Sequence, residues 1–425
     1  MSFPRARAAF SDSVSQGENH VAAASFFDGP NVVWVNSTSD SDANQGTAYA
    51  PERRRTRPGT RCARCEPPSG GERVVRHRHD RVRHADDRDR LPVDQRTGGS
   101  DRGTALPAIT ATTYIDATTQ TGFVAGTAVF PASIDFAPSV DIDGFNVPTT
   151  SPIVLSGSGA SNGIVRGLAI TGFSSSSSAS IEINGASNVK VYNNYIGVLP
   201  HGYLMSARTG IRVVGGAANT TIGGAAASER NWIGTANYLP ITISGTGTSA
   251  VIRGNEISSH SSAVFGILVA GSSTGMIGGT GPADGNLITS NTDGVILDNS
   301  GGNPTFSILG NRIWSNTNLG IDLTLSATRG VTANDSGDAD TGPNGLLNYP
   351  VIGTITRSGS DVTVNFTLDV PAGTYRIEAF TNPSGVDPTG YGEGEIFVAS
   401  TSISHPGGSH STRSTTPARP VRTSR

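Results

Sequence analysis

"VIRGNEISSHSSAVFGILVAGSSTGMIGGTGPADGNLITSNTDGVILDN", Val251 to Asn299, contains one phrase twice. An Asn-x-Ile triplet (Asn255/Ile257) is followed by a glycine-led apolar run, "GILVAG" from Gly266. Both return as Asn286/Ile288 and "GVILDN" from Gly294. Outward from this stretch the triplet recurs at Asn194/Ile196, Asn231/Ile233 and Asn311/Ile313, with gaps of 37, 24, 31 and 25 residues. The apolar run recurs as "GIRVVG" from Gly210, "PITISG" from Pro240 and "GIDLTL" from Gly320, with gaps of 30, 26, 28 and 26. A period of 20 to 50 residues marks a repeat architecture. Runs this short cannot span a helix, and their alternation puts Ile, Val and Leu on one face and Ser, Thr and Arg on the other.

The pattern predicts an all-β chain: a right-handed parallel β-helix, each coil stacked on the next at the strand spacing of a sheet, about 4.8 Å. A β-sandwich with many hairpins is the alternative. It does not explain one register of Asn-x-Ile through five coils. Asparagine at a fixed place per coil has a mechanism, because an inward side-chain amide can hydrogen-bond its equivalent one coil away. Asn194, Asn231, Asn255, Asn286 and Asn311 are therefore expected to form a structural ladder. The solenoid is expected over 105–347, in eight to nine coils. A partial β-sandwich-like segment follows over 348–403, with strands such as "DVTVNFTL" and "TYRIEAFT". As half a sandwich it would leave an apolar face and an open sheet edge.

Composition agrees with many short strands. The chain has 425 residues, 54 of them glycine, with 6% aromatic and 15% charged residues and a formal net charge of −3. Glycine, serine, threonine and asparagine disfavour helix interiors. The charge is divided unevenly. Residues 51–104 hold 15 arginines against 9 acids, whereas residues 106–400 hold 10 basic and 20 acidic residues. The acidic part argues against a nucleic-acid partner. Cys62 and Cys65 are the two cysteines, which excludes a disulfide framework. No apolar run is long enough to cross a membrane as a helix, and the first 20 residues lack the apolar core of a signal peptide. In residues 1–49, "NVVWVNST" (Asn31–Thr38) reads as one strand, suited to capping the solenoid.

Three phrases carry a resemblance. "LPAITATTYIDATTQTGF" (Leu106–Phe123), "NRIWSNTNLGIDLTLSATRGVTANDSGDADTGPNGLLNYPVI" (Asn311–Ile352) and "YRIEAFTNPSGVDPTGYGEGEIFVAS" (Tyr375–Ser400) resemble the first coil, the last coil with its exit, and the terminal β-segment of one group. That group is the bacterial secreted or surface β-helix proteins of CSLREA type, within the pectate-lyase-like superfamily. Ala117 stands where the group tends to have glycine. The resemblance covers about residues 106–400. It implies a secreted or cell-surface location, a monomer, and a structural, adhesive or glycan-binding role, with a polysaccharide or cell-surface glycan as partner. A polysaccharide lyase or glycoside hydrolase of the superfamily is the alternative.

Residues 50–104 depart from this frame. "PGTRCARCEPP" (Pro58–Pro68), back-translated and read two bases along, allows "GDSLRAVRAA", similar to a phrase the group carries at this place. "VVRHRHDRVRHADD" read one base along allows "SFATATTGSGTPT". The segment is therefore expected to be disordered and to derive from a shifted reading frame. The same is expected of the tail over 404–425, and a chain altered this way could lack function altogether. A zinc site from Cys62, Cys65, His77, His79 and His84 is the weaker reading, because no second ligand pair stands at workable spacing in a packed frame.

Candidate chemistry is sparse. Asp335, Asp338, Asp340 and Asn344 cluster oxygen ligands, and calcium is the cation such a set would take as a structural ion; no cofactor is otherwise required. The spacing is not that of an EF-hand. Lys190, Arg212, Arg253 and Arg312 are scattered over different coils, as are Glu182, Glu256, Asp298 and Asp322. Asp298 and Asp322, 24 residues apart, are the acid pair best placed to be neighbours. No catalytic residue is assigned. Trp232 and Trp314 are expected to point outward, where an indole can stack on a sugar ring.

Overall fold

The computed structural model describes residues 21–22, 32–37, 106–144 and 151–417, apart from 176, 203, 205–206, 235–237, 260–264, 326–327, 359–360 and 386–388. The expected disordered, frame-shifted segment 50–104 and the candidate zinc residues lie outside the described residues. Three parallel sheets of seven strands each wind into a β-solenoid of about six turns. No α-helix occurs among the described residues.

Each turn follows one route. A strand of the first sheet, such as Ser249–Arg253, bends at a glycine into the second sheet, here Glu256–Ser258, then reaches the third, Phe265–Ala270. The next turn repeats it with Thr274–Gly278, Leu287–Thr289 and Asp293–Asp298. The register is strict: Ile257 pairs with Ile288, which pairs with Ile313, and Ile267 with Val295, which pairs with Ile321. Like therefore stacks on like, and the interior is a column of Ile, Val and Leu, nearly all fully buried. Burial of such side chains is the main stabilising term, about 1.5–3 kcal/mol each.

The expected eight to nine coils are more than the structure holds. A period of 25 residues is the length of a minimal coil, and several turns are longer. The first turn spends residues 117–139 on an excursion outside the solenoid. This loop runs lengthwise along the second sheet: Ile134 N–H donates to Glu256 at 2.9 Å, and the Pro131 carbonyl accepts from Arg312 at 3.4 Å.

Two smaller sheets follow, one antiparallel and one mixed. Val351–Ser358, Asp361–Val370 and Gly408–Pro417 form one. Gly373–Thr381 and Ile396–His405 belong to the other, with Val32–Ser37 and Val21–Ala22. Ile352, Phe366, Leu368, Val370, Tyr375 and Ile377 from both sheets share one apolar cluster. Two expectations change here. Residues 408–417, expected in a disordered tail, form a strand paired with Asp361–Val370 over ten register positions. This strand extends the sheet that shares an apolar cluster with Gly373–Thr381, within the sandwich-like segment expected after the solenoid. The N-terminal strand runs parallel to Gly373–Thr381, with Val32 opposite Arg376, and so joins this sheet instead of capping the solenoid.

Candidate functional site

The five asparagines lie at the bend between the first and second sheets, each fully buried. Nδ2 of each donates to Oδ1 of the next: Asn194 to Asn231 at 3.1 Å, Asn231 to Asn255 at 2.9 Å, Asn255 to Asn286 at 2.9 Å and Asn286 to Asn311 at 2.8 Å. The same Oδ1 also accepts the backbone N–H of the preceding asparagine, at 2.9 to 3.2 Å. Each Nδ2 further donates to a carbonyl of the coil before it, as Asn255 does to Ile222 at 3.0 Å. The side chains thus satisfy backbone groups that the turn would otherwise bury unpaired. Two shorter stacks run beside this ladder. Asn291 bonds Asn316 at 3.0 Å inside, and Asn162, Asn188 and Asn219 stack at 3.3 Å on the surface.

At its C-terminal end the solenoid is closed by acids from the second domain segment. Glu393 accepts from Asn316 Nδ2 at 2.6 Å, Glu378 from Gly310 N–H at 3.0 Å, and the Gly394 carbonyl from Ile313 N–H at 2.8 Å. "YGEGE" (Tyr391–Glu395) was the available sequence signal: acids and glycines where an edge strand needs acceptors at close approach.

A small cleft of about 230 Å³ opens beside this closure, lined by Asp293, Asn318, Arg329, Gly330, Thr389 and Tyr391 among others. Asp293 begins the strand Asp293–Asp298 of the third sheet, and Asp322 lies one strand further on, opposite Ile296. Alternation turns Asp322 and Asp298 away from the apolar column. They are nonetheless buried, with Asp322 0% and Asp293 1% exposed. The chain after the last third-sheet strand folds back over this outer face. Gly330 N–H donates to Asp322 Oδ2 at 3.0 Å, and Arg329 pairs with Asp293 at 3.3 Å while its guanidinium lies 3.9 Å from the Phe265 ring centroid. Asp322 Oδ1 is buried without a hydrogen-bond partner.

The electrostatics follow from this geometry. Burial pushes the Asp322 carboxyl up to about 7, opposed by the Gly330 N–H and reinforced by the neighbouring Asp293. Burial raises Asp293 as well, against the attraction of Arg329. Asp298 is the contrast: despite burial, hydrogen bonds from Ser300 and Thr324 hold it below its ordinary value. The sequence pair Asp298 and Asp322 is thus brought onto adjacent strands, and Asp293 and Arg329 join it. Neither of the latter two was legible in the sequence as part of a site.

The other sequence candidates fall elsewhere. Trp232 faces outward but is half-buried under the first-turn loop, edge-on to Tyr195 at 5.2 Å and packed with Phe136 and Leu204. Trp314 lies three strands away on the same sheet, with the Arg312 guanidinium 4.8 Å from its ring centroid. The two indoles do not form a common platform. Of the scattered bases, Arg212 pairs with Glu182 at 3.1 Å and Arg253 with Asp284 at 3.5 Å, each across neighbouring coils. Arg312 donates to the Glu395 carbonyl at 2.7 Å.

Asp335, Asp338 and Asp340 do converge, with carboxylate oxygens within 4.8 Å of one another. Such a set has the chemistry of a hard-cation site. The same carboxylates also order the exit loop: Asp335 accepts from the N–H groups of Ala339 and Asp340, and Asp338 from that of Asn348. Asn344 bonds the first sheet. Its amide accepts from Phe306 N–H at 2.7 Å and donates to Phe306 C=O at 2.9 Å, completing the exposed edge of the first sheet. It is a strand mimic at the end of the solenoid.

No protein-family profile matches the chain, and no curated protein or solved structure matches it either.

Proposed function

We propose that this chain is a secreted or cell-surface structural protein of the CSLREA-type β-helix group, with an adhesive role exercised by binding glycan at the Asp293–Arg329–Tyr391 cleft. The three sequence phrases support the group. The observation that carries the role is the combination of a ladder-stiffened solenoid with a small cleft at its closed end, where Arg329 and Tyr391 stand beside an apolar wall. Ladders of buried asparagine favour a rod over a hinged enzyme, because every coil is tied to the next by side-chain as well as main-chain bonds. The cleft presents the part-exposed Arg329 guanidinium and the Tyr391 phenol, which hydrogen-bond hydroxyls, beside the apolar Leu319 and Val331. Its size suits one sugar residue at a chain end.

A glycan microarray probed with the full chain tests this reading. The expected result is retention on a restricted set of glycans, lost in a Tyr391→Ala variant that keeps its fold. Absence of retention on all glycans would remove the adhesive role and leave the structural one.

The second reading is a lyase or hydrolase. One observation favours it: two carboxyls on adjacent strands, Asp293 and Asp322, both shifted towards the protonated form, as general acids are. Release of reducing ends or of unsaturated sugars from polysaccharide would establish it.

A further inference from the structure

Resting on the cleft assigned above, we propose that Asp293, Asp298 and Asp322 with Arg329 form a proton-sensitive latch that holds residues 328–332 closed beside the cleft and releases them when the cluster ionises fully.

The argument starts from counting charge. Three carboxyls, none more than 9% exposed, share one cation among the groups that face them. Asp293 and Asp298 come from the neighbouring strand, Asp322 from Ile321–Thr324, and Arg329 from the segment folded over them. From the adjoining loop, Thr389 and Tyr391 line the cleft, and Glu393 is engaged with Asn316. Three ionised carboxylates with one guanidinium leave an excess of negative charge out of water, which a fold tolerates poorly. A proton on Asp322 halves that excess, from two negative charges to one. That proton suits the geometry, since Asp322 Oδ1 is fully buried and has no donor in contact.

What holds the segment is a short set of contacts. These are the Gly330 N–H to Asp322, the Arg329 pair with Asp293 and its stacking on Phe265, the Thr328 N–H to the Leu325 carbonyl at 3.0 Å, and a Thr332 hydroxyl bond to the Leu323 carbonyl at 3.3 Å. Opening it hydrates Asp322. The direction then follows. A carboxyl raised in the closed state binds its proton more tightly there than in the open, hydrated state. Closure is favoured below the closed-state value of about 7 and weakens as pH rises towards it. Between the ordinary, open-state value of 3.8 and about 7, opening releases one proton and shifts the closed-to-open ratio about tenfold per pH unit; above about 7 both states are ionised and the ratio levels off. The latch thus admits ligand to the lower cleft wall in neutral to alkaline surroundings and shuts it in acid.

Hydrogen–deuterium exchange of the full chain, read by mass spectrometry from about pH 4 to pH 8 and normalised to an unstructured peptide, tests the latch without any ligand. Failure of glycan binding would therefore leave this measurement standing. The expected result is that amides of residues 328–332 lose protection about tenfold per pH unit between about pH 4 and pH 7 and level off above it, while those of Phe265–Ala270 do not. In Asp322→Asn the protection should be flat with pH. Flat protection in the natural chain, or an unchanged pH dependence in Asp322→Asn, would overturn the proposal. Should Asp322→Asn not fold, the profile of the natural chain decides.

Discussion

Asn286 donates its side-chain N–H to Asn311 Oδ1 at 2.8 Å, 25 residues along the chain and one coil away. The same oxygen takes the backbone N–H of Asn286 at 2.9 Å. One side chain thereby satisfies two donors of its neighbour, and the arrangement repeats down the solenoid.

This makes the ladder costly to interrupt. Asn255→Ala should remove the acceptor of Asn231 and the donor to Ile222 in a fully buried turn. We expect a loss of about 3 kcal/mol in urea unfolding, since buried groups left unpaired cost more than a bond contributes. Asn219→Ala, in the exposed stack at φ +57°, should cost about 1 kcal/mol, the strain of alanine in the left-handed region. Equal effects at the two sites would show that the buried ladder adds nothing special.

Gly254 forms the bend beside the ladder, with φ +71°, and a Cβ there would lie 1.9 Å from the Gly224 carbonyl oxygen. Gly254→Ala should destabilise by about 3 kcal/mol or prevent folding, combining backbone strain with a contact that backbone alone can relieve. Gly408 has φ +73° but open space around it. Gly408→Ala should cost only the conformational strain, about 1 kcal/mol. Thermal melts of the two variants separate these contributions.

The closed end can be opened by design. A chain ending at residue 347 lacks Glu378, Glu393 and the Gly394 carbonyl, leaving Arg312–Trp314 and its ladder without acceptors. An unpaired strand edge templates pairing with another chain. Light scattering should report association of this truncation at micromolar concentration, with the full chain remaining monomeric. Glu393→Ala alone should lower stability by about 2 kcal/mol, through loss of a charge-assisted bond to Asn316.

Acid should loosen the opposite end. Asp116 is held down to about 2, first by its hydrogen bond to Arg166 and then by bonds from Thr118. A carboxyl lowered on folding adds stability above its unfolded value near 3.8, and this is lost as pH falls through about 2. In Arg166→Gln a carbon-detected NMR titration should find Asp116 moved up towards its ordinary value. An unmoved Asp116 would mean that Arg166 is a bystander.

The repeat of Asn-x-Ile and glycine-led strands was enough to read the solenoid, its asparagine ladder and the inward face of each strand. These depend on period and alternation, which are local properties, repeated until no other arrangement keeps them in register. What the tertiary structure decided are the places where the chain leaves its period. The first-turn loop buries Trp232 because residues 123–136 travel across several coils, and no periodicity announces such a path. Asn344 resembled a cation ligand by composition, yet it completes the first sheet because the exit loop returns to Phe306. Asp293, Asp322 and Arg329 meet with Tyr391 only after the chain folds back twice. The pressure on their protons comes from burial, a property of everything packed around a residue and of nothing in its own stretch of sequence.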